Sequence, residues 1–158
     1  MPKSIPLVLG FGNILLGDDG AGVQLTGRLR DEMPGGSATF IDGGTMSFSL
    51  LPYLEQADAV LVIDAAEILA APGAVRLFDG RAMDDFLQSK RRRTVHEVGL
   101  IDLLDMARLQ GCLPQRRALL CIQPASIDWS ETLSSAVSDG LVVAAVHAHS
   151  LLRRWSNA

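Results

Sequence analysis

Cysteine is scarce in this chain of 158 residues: only Cys112 and Cys121, with no Cys-x-x-Cys pair between them. That excludes a disulfide framework and suits a reduced, cytosolic protein. Positive charge is also short. Lys and Arg number 14 against 18 Asp and Glu, a net charge of −4, so neither nucleic acid nor an anionic membrane is an expected partner. No apolar run reaches the length of a membrane span, and Met1-Pro2-Lys3-Ser4-Ile5 lacks the apolar stretch of a signal peptide. Internal repeats, low-complexity segments and linkers are missing too, so residues 1–158 are expected to form a single domain. Several catalytic signatures are absent as well: no His-Glu-x-x-His helix, no Gly-x-Ser-x-Gly elbow, and no Asp-Thr-Gly or Asp-Ser-Gly half-site.

What is present is a globular composition, 48% hydrophobic and 20% charged. A chain of this size buries about 70% of the surface its unfolded form exposes, enough for one core without staples. Short apolar runs alternate with helical patterns. Strands are expected at Ile5 to Leu9, Thr39 to Ile41, Ala59 to Ile63, Ala74 to Phe78 and Ala118 to Ile122. Helical patterns cover Gly22 to Met33, Met46 to Leu54 (interrupted by Pro52), and His96 or Glu97 to Leu109, with a helical turn at Ala82 to Gln88. Asp128 with Glu131 three residues on resembles a capping box and is expected to start a long final helix reaching Trp155. The connection from Ala66 to Gly73 is too short for a parallel crossover, so the fourth strand should be antiparallel. The expected fold is an α/β three-layer sandwich: a mixed, mostly parallel five-stranded sheet with helices on both faces.

In open α/β sheets ligands gather at the carboxyl ends of the strands. Three successive strand ends here carry carboxylates: Asp18 and Asp19 after the first, Asp42 after the second, Asp64 after the third. One such Asp is ordinary turn chemistry. Three on one edge repel one another unless a cation or bound protons offset them, which points to a metal. The rival is a nucleotide loop. Gly10-x-Gly12 follows a strand, but the third glycine, Gly17, comes too late for a dinucleotide fingerprint. Gly12-x-x-x-x-Gly17 has phosphate-loop spacing, yet Asp18-Asp19 stands where Lys and Ser or Thr belong. The charge is inverted, and the loop suits a cation. His96, at the mouth of a helix, read alone is a capping or surface histidine. With Asp19 and Asp64 it completes a two-carboxylate, one-imidazole set suited to zinc, nickel or manganese. Three protein ligands leave positions open for substrate or water.

The remaining chemistry-bearing residues have plainer readings. Cys112 and Cys121 read as small apolar residues. His147 and His149, two apart on a helix, face different directions. Ser47, Ser49 and Ser134 have no neighbouring base and read as helix or cap residues. The run Lys90 to Arg93 reads as a solvated loop, or as a steering patch for an acidic partner. Gly20 and Gly22 are expected to let the first helix start close to the sheet and the metal. Trp129 and Trp155 are expected as packing anchors.

The residues Val8-Leu9-Gly10-Phe11-Gly12-Asn13-Ile14-Leu15 and Gly17-Asp18-Asp19-Gly20-Ala21-Gly22 closely resemble the opening of the [NiFe]-hydrogenase maturation endopeptidases. Asp42-Gly43-Gly44-Thr45, Val62-Ile63-Asp64-Ala65, His96-Glu97-Val98-Gly99-Leu100 and Ile122-Gln123-Pro124 follow in that family's order, so the likeness spans about residues 5 to 150. The resemblance implies a cytoplasmic endopeptidase that removes a C-terminal extension from the hydrogenase large-subunit precursor after nickel insertion. Its partner would be that precursor, and its nickel would be supplied by the precursor, with another divalent metal possible in isolation. By motif position Asp19, Asp64 and His96 would contact nickel and carry catalysis, and Asp42, Gly43, Gly44 and Thr45 would border the substrate cleft. Either the metal polarises the scissile carbonyl, or a carboxylate such as Asp18 or Asp64 acts as base. Two other classes stand beside this one: a non-catalytic metal-dependent assembly factor and a nucleotide-binding α/β module.

Overall fold

The apolar runs become the strands of one sheet in the computed structural model, which describes residues 5–44, 48–90 and 95–157, with backbone alone over 95–98. Strands β1 (Leu7–Phe11), β2 (Thr39–Gly44), β3 (Ala59–Ala65), β4 (Val75–Asp79) and β5 (Arg116–Ile122) lie in the order β2-β1-β3-β5-β4. β1 pairs parallel with β2 and β3, and β3 pairs parallel with β5. β4 runs antiparallel against β5, as the short β3–β4 connection requires. The fold is therefore the α/β sandwich with a mixed, mostly parallel sheet.

Among the described residues five α-helices cover the sheet: α1 (Ala21–Glu32), α2 (Leu51–Glu55), α3 (Arg81–Lys90), α4 (Val95–Leu109) and α5 (Ser135–Ser156). Side chains of the central strands alternate between two cores, as the two-residue period of a strand demands. Leu7, Leu9, Phe11, Val60, Val62, Leu119 and Cys121 pack with α2, α3 and α4. Val8, Leu61, Ile63, Ala118, Leu120 and Ile122 pack with α1 and α5. Each fully buried Leu, Ile or Val contributes about 1.5–3 kcal/mol, so the three central strands hold the sandwich together. Cys121 is buried, Cys112 half-buried, and neither forms a disulfide.

Several local expectations change. Pro52 sits in the first turn of α2, where its missing N–H has no helical partner to lose, so it starts that helix instead of interrupting it. The turn expected near residue 82 is a ten-residue helix, α3. α5 begins at Ser135, not at Asp128, because Ser134 Oγ caps it by accepting from Val137 N. Asp128 instead accepts from Ser126 Oγ within its own loop. By length and composition α5 could cross a bilayer, which the apolar runs did not suggest, yet Val137, Leu141, Ala144, Ala148 and Leu151 are buried on the sheet.

The antiparallel β4 decides what reaches the carboxyl edge of the parallel strands. Because β4 ends at the opposite edge, α3 runs back toward the carboxyl edge. There Lys90 Nζ donates to the carbonyl of Glu67, just beyond β3. α4 therefore starts at that edge.

Candidate functional site

The loop from β1 to α1 is held by close backbone packing. Gly12 has φ of 122°, and a Cβ there would lie 1.9 Å from the carbonyl oxygen of Asp19, so only glycine fits. A Cβ on Gly22 would come within 2.3 Å of Ile63 O, which shows how closely α1 meets β3. Gly12 N donates to Gly44 O at 2.8 Å, tying the loop to the end of β2. A single 3-10 turn, Gly17–Gly20, leads into α1 and packs on β3. It carries Asp18 and Asp19, both buried. Asp19 Oδ2 accepts from Asn13 N at 2.9 Å, and Asn13 Oδ1 accepts from Leu15 N at 2.9 Å. The loop thus folds around the Asp19 carboxylate.

Asp18 is different in kind. Its Oδ2 accepts from Ala125 N at 2.8 Å, Ser126 N at 3.1 Å and Ser134 Oγ at 2.8 Å, and its Oδ1 accepts from Ser134 N at 2.7 Å. Burial alone would raise its pKa, but the bonds from Ser134, Ala125 and Ser126 outweigh that and hold it below the usual aspartate value. With four donors on two oxygens and no exposed surface, Asp18 has no room to take a proton from water. Of the alternatives left open for the base, Asp18 is the one these bonds engage fully: it is a pin joining the β1–α1 loop to the cap of α5.

Asp64 is buried near the end of β3, opposite Cys121 of β5 in register. It shares the face of Val60 and Val62, the face on which α4 lies. His96 lies in the first turn of α4, at the same carboxyl edge, and its side chain lies outside what the structure describes. Asp42 and Gly44, at the end of β2, line a cavity of about 230 Å³ together with Gly12, Asn13, Ile14 and Val23. Gly43 is buried against Gly10 O and Leu50, and Thr45 lies outside the described residues. Among the described residues no three His, Cys, Asp or Glu side chains cluster to hold a metal ion. The structure thus brings Asp19 and Asp64 to one edge as buried carboxylates, and the helix bearing His96 begins there.

Two supports escaped the sequence. Gln123, directly after β5, is buried; its Oε1 accepts from Ile68 N at 2.8 Å and its Nε2 donates to Glu67 Oε2 at 2.9 Å. It fixes the segment that follows Asp64. Lys90, read as part of a solvated run, is buried at the end of α3 with its ammonium 5.4 Å from the Phe86 ring centroid. Aliphatic stem and aromatic contact stay under cover while the charge is met by the Glu67 carbonyl. Arg91, Arg92 and Arg93 lie outside the described residues. His149 faces α1, its Nε2 3.0 Å from Glu32 Oε2.

Residues 23–149 match the HycI family model, hydrogenase maturation protease. The chain belongs to the hydrogenase maturation proteases. It is 34% identical over 152 residues to the hydrogenase expression/formation protein HupD of Rhodobacter capsulatus, covering 94% of this chain and 71% of that one. With the hydrogenase 2 maturation protease of Escherichia coli it shares 30% identity over 77% of this chain and 74% of the other. The structure of the hydrogenase maturating endopeptidase HybD from E. coli superposes with a TM-score of 0.87 at 27% identity, covering 95% of this chain and 93% of that one. The [NiFe] hydrogenase maturation protease HybD of Thermococcus kodakarensis gives 0.79 at 27% identity, over 94% and 99%. The family model begins at Val23, after Asp19, whereas these longer alignments take in nearly the whole chain.

Proposed function

We propose that this maturation protease removes the C-terminal extension of a [NiFe]-hydrogenase large-subunit precursor, and that it recognises the nickel already seated in that substrate. The observation that carries the reading is the pair of buried carboxylates, Asp19 and Asp64, at one sheet edge where the helix bearing His96 also starts. Two carboxylates and an imidazole suit a borderline divalent ion such as nickel. Nickel here is part of the substrate: it gives the precursor a handle and supplies a Lewis acid near the tail. Cleavage itself needs a base for the attacking water and an acid for the leaving amine. Asp18 is saturated and Asp42 Oδ1 accepts from Gly44 N on the cavity wall, so Asp19, Asp64 and His96 are the groups we assign to that chemistry. The cavity lined by Asp42 and Gly44 gives the precursor tail a place to lie beside them. Two cysteines outside any disulfide and the hydrogenase partner support a cytoplasmic setting.

Mass spectrometry of a nickel-loaded precursor after incubation with the protein tests this reading. Loss of a C-terminal peptide with nickel, and an intact nickel-free precursor, is the expected pair of results. A precursor that binds yet stays whole would mean an assembly factor in place of a peptidase.

A further inference from the structure

Trp129 was expected to anchor packing, yet it is 80% exposed. It sits in a loop that is tightly held. Leu16 and Ser130 form a parallel bridge, Gly17 N donates to Ser130 O at 2.8 Å, and Ser130 N donates to Leu15 O at 3.0 Å. Leu15 and Trp129 immediately precede the two bridged residues. Leu15, Ile14 and Ile127 are exposed as well. The Asp18 pin fixes this ribbon to the turn that carries Asp19. A large exposed aromatic on a backbone held by hydrogen bonds, continuous with a candidate site, has the character of a binding anchor: the loop that carries it is already ordered. The surrounding charge has one sign. The exposed charged side chains of residues 12–19 and 123–134 are Asp128 and Glu131, with no Lys or Arg.

We infer that the ribbon of residues 14–16 and 128–130 is the docking surface for the body of the precursor, and that Trp129 receives an apolar segment of it flanked by Lys or Arg. This rests on the endopeptidase reading. The site would then hold its substrate at two points, the nickel and the ribbon, with the tail between them.

The test is steady-state tail release from nickel-loaded precursor by wild type, Trp129→Ala and Trp129→Phe, with sedimentation of each free protein. Alongside it, Trp129 emission is followed during precursor titration in a Trp155→Phe background, where Trp129 is the only tryptophan. Trp129→Ala should raise KM about tenfold with kcat unchanged, Trp129→Phe should restore most of the affinity, and precursor should protect Trp129 from acrylamide. An unchanged KM, or a fall in kcat alone, overturns the inference. So does a wild-type dimer that Trp129→Ala dissociates, since a second copy would then own the surface. If wild type releases no tail while precursor still protects Trp129, the docking surface stands and the peptidase reading fails.

Discussion

The two edges of the sheet differ in a way that volume does not predict. The amino edge holds the roomier depression, about 640 Å³, lined by Glu55, Ala57, Asp58 and residues 111–116. At the carboxyl edge, the cavity that the described residues line beside Gly12, Asn13 and Asp42 measures about 230 Å³. Yet Asp18, Asp19 and Asp64 are buried near the carboxyl edge, while Glu55 and Asp58 are exposed. A buried carboxylate is costly unless it is hydrogen-bonded. For Asp18 and Asp19 that cost is met because loop amides and the start of α5 point there: Asp19 takes the N–H of Asn13, and Asp18 takes the N–H of the α5 capping residue, Ser134. Burial of carboxylates here follows what the backbone can solvate, not the size of the hollow.

Four changes sharpen this contrast, taken from the largest effect downward. Asp19→Asn keeps the shape of the carboxyl edge and removes a charge; tail release measured by mass spectrometry should fall at least about a hundredfold while the far-ultraviolet dichroism is unchanged. Asp18→Ala leaves the N–H groups of Ala125, Ser126 and Ser134 without their acceptor and should cost about 3 kcal/mol or more in urea unfolding. A loss below about 1 kcal/mol would mean that the loops are not pinned as described.

The third change concerns pH. Arg117 Nη2 lies 2.6 Å from Asp84 Oδ2, and the hydrogen bonds from that guanidinium hold the Asp84 carboxyl below its ordinary value. A group whose folded pKa is depressed stabilises fully above its unfolded pKa, and that contribution disappears as pH falls through the folded value. Stability should therefore drop below about pH 4, and Arg117→Leu should remove part of that drop, about 1 kcal/mol for a pair this exposed. Finally, Glu55→Gln at the roomier edge should change activity less than twofold and stability by less than about 0.5 kcal/mol. A large loss of activity there would reverse the assignment of the edges.

Much of the architecture was legible because β1, β3 and β5 are continuously apolar and had to be central. The length of the β3–β4 connection was enough to set β4 antiparallel, and that reversal brings α4 to the site. The carboxylates were legible as strand-end residues. Their separate roles were not, because Asp18 and Asp19 differ only through partners more than a hundred residues away for one and six for the other. The start of α5 was misplaced for a related reason. Asp128 and Glu131 have the spacing of a cap, but a local motif of two residues yields to the longer-range bonds that Ser134 makes with Asp18. Lys90 and Trp129 were exchanged between surface and interior, since composition alone does not say which long side chain finds cover.

The most direct test of the central claim is nickel K-edge absorption spectroscopy on a nickel-loaded precursor whose scissile position is substituted so that the tail stays on. Spectra would be taken alone, with wild type and with Asp19→Asn. New oxygen and nitrogen scattering around nickel with wild type, diminished with Asp19→Asn, is the predicted result. A nickel spectrum that wild type leaves unchanged, in a complex shown to form, would contradict recognition of the metal at this edge.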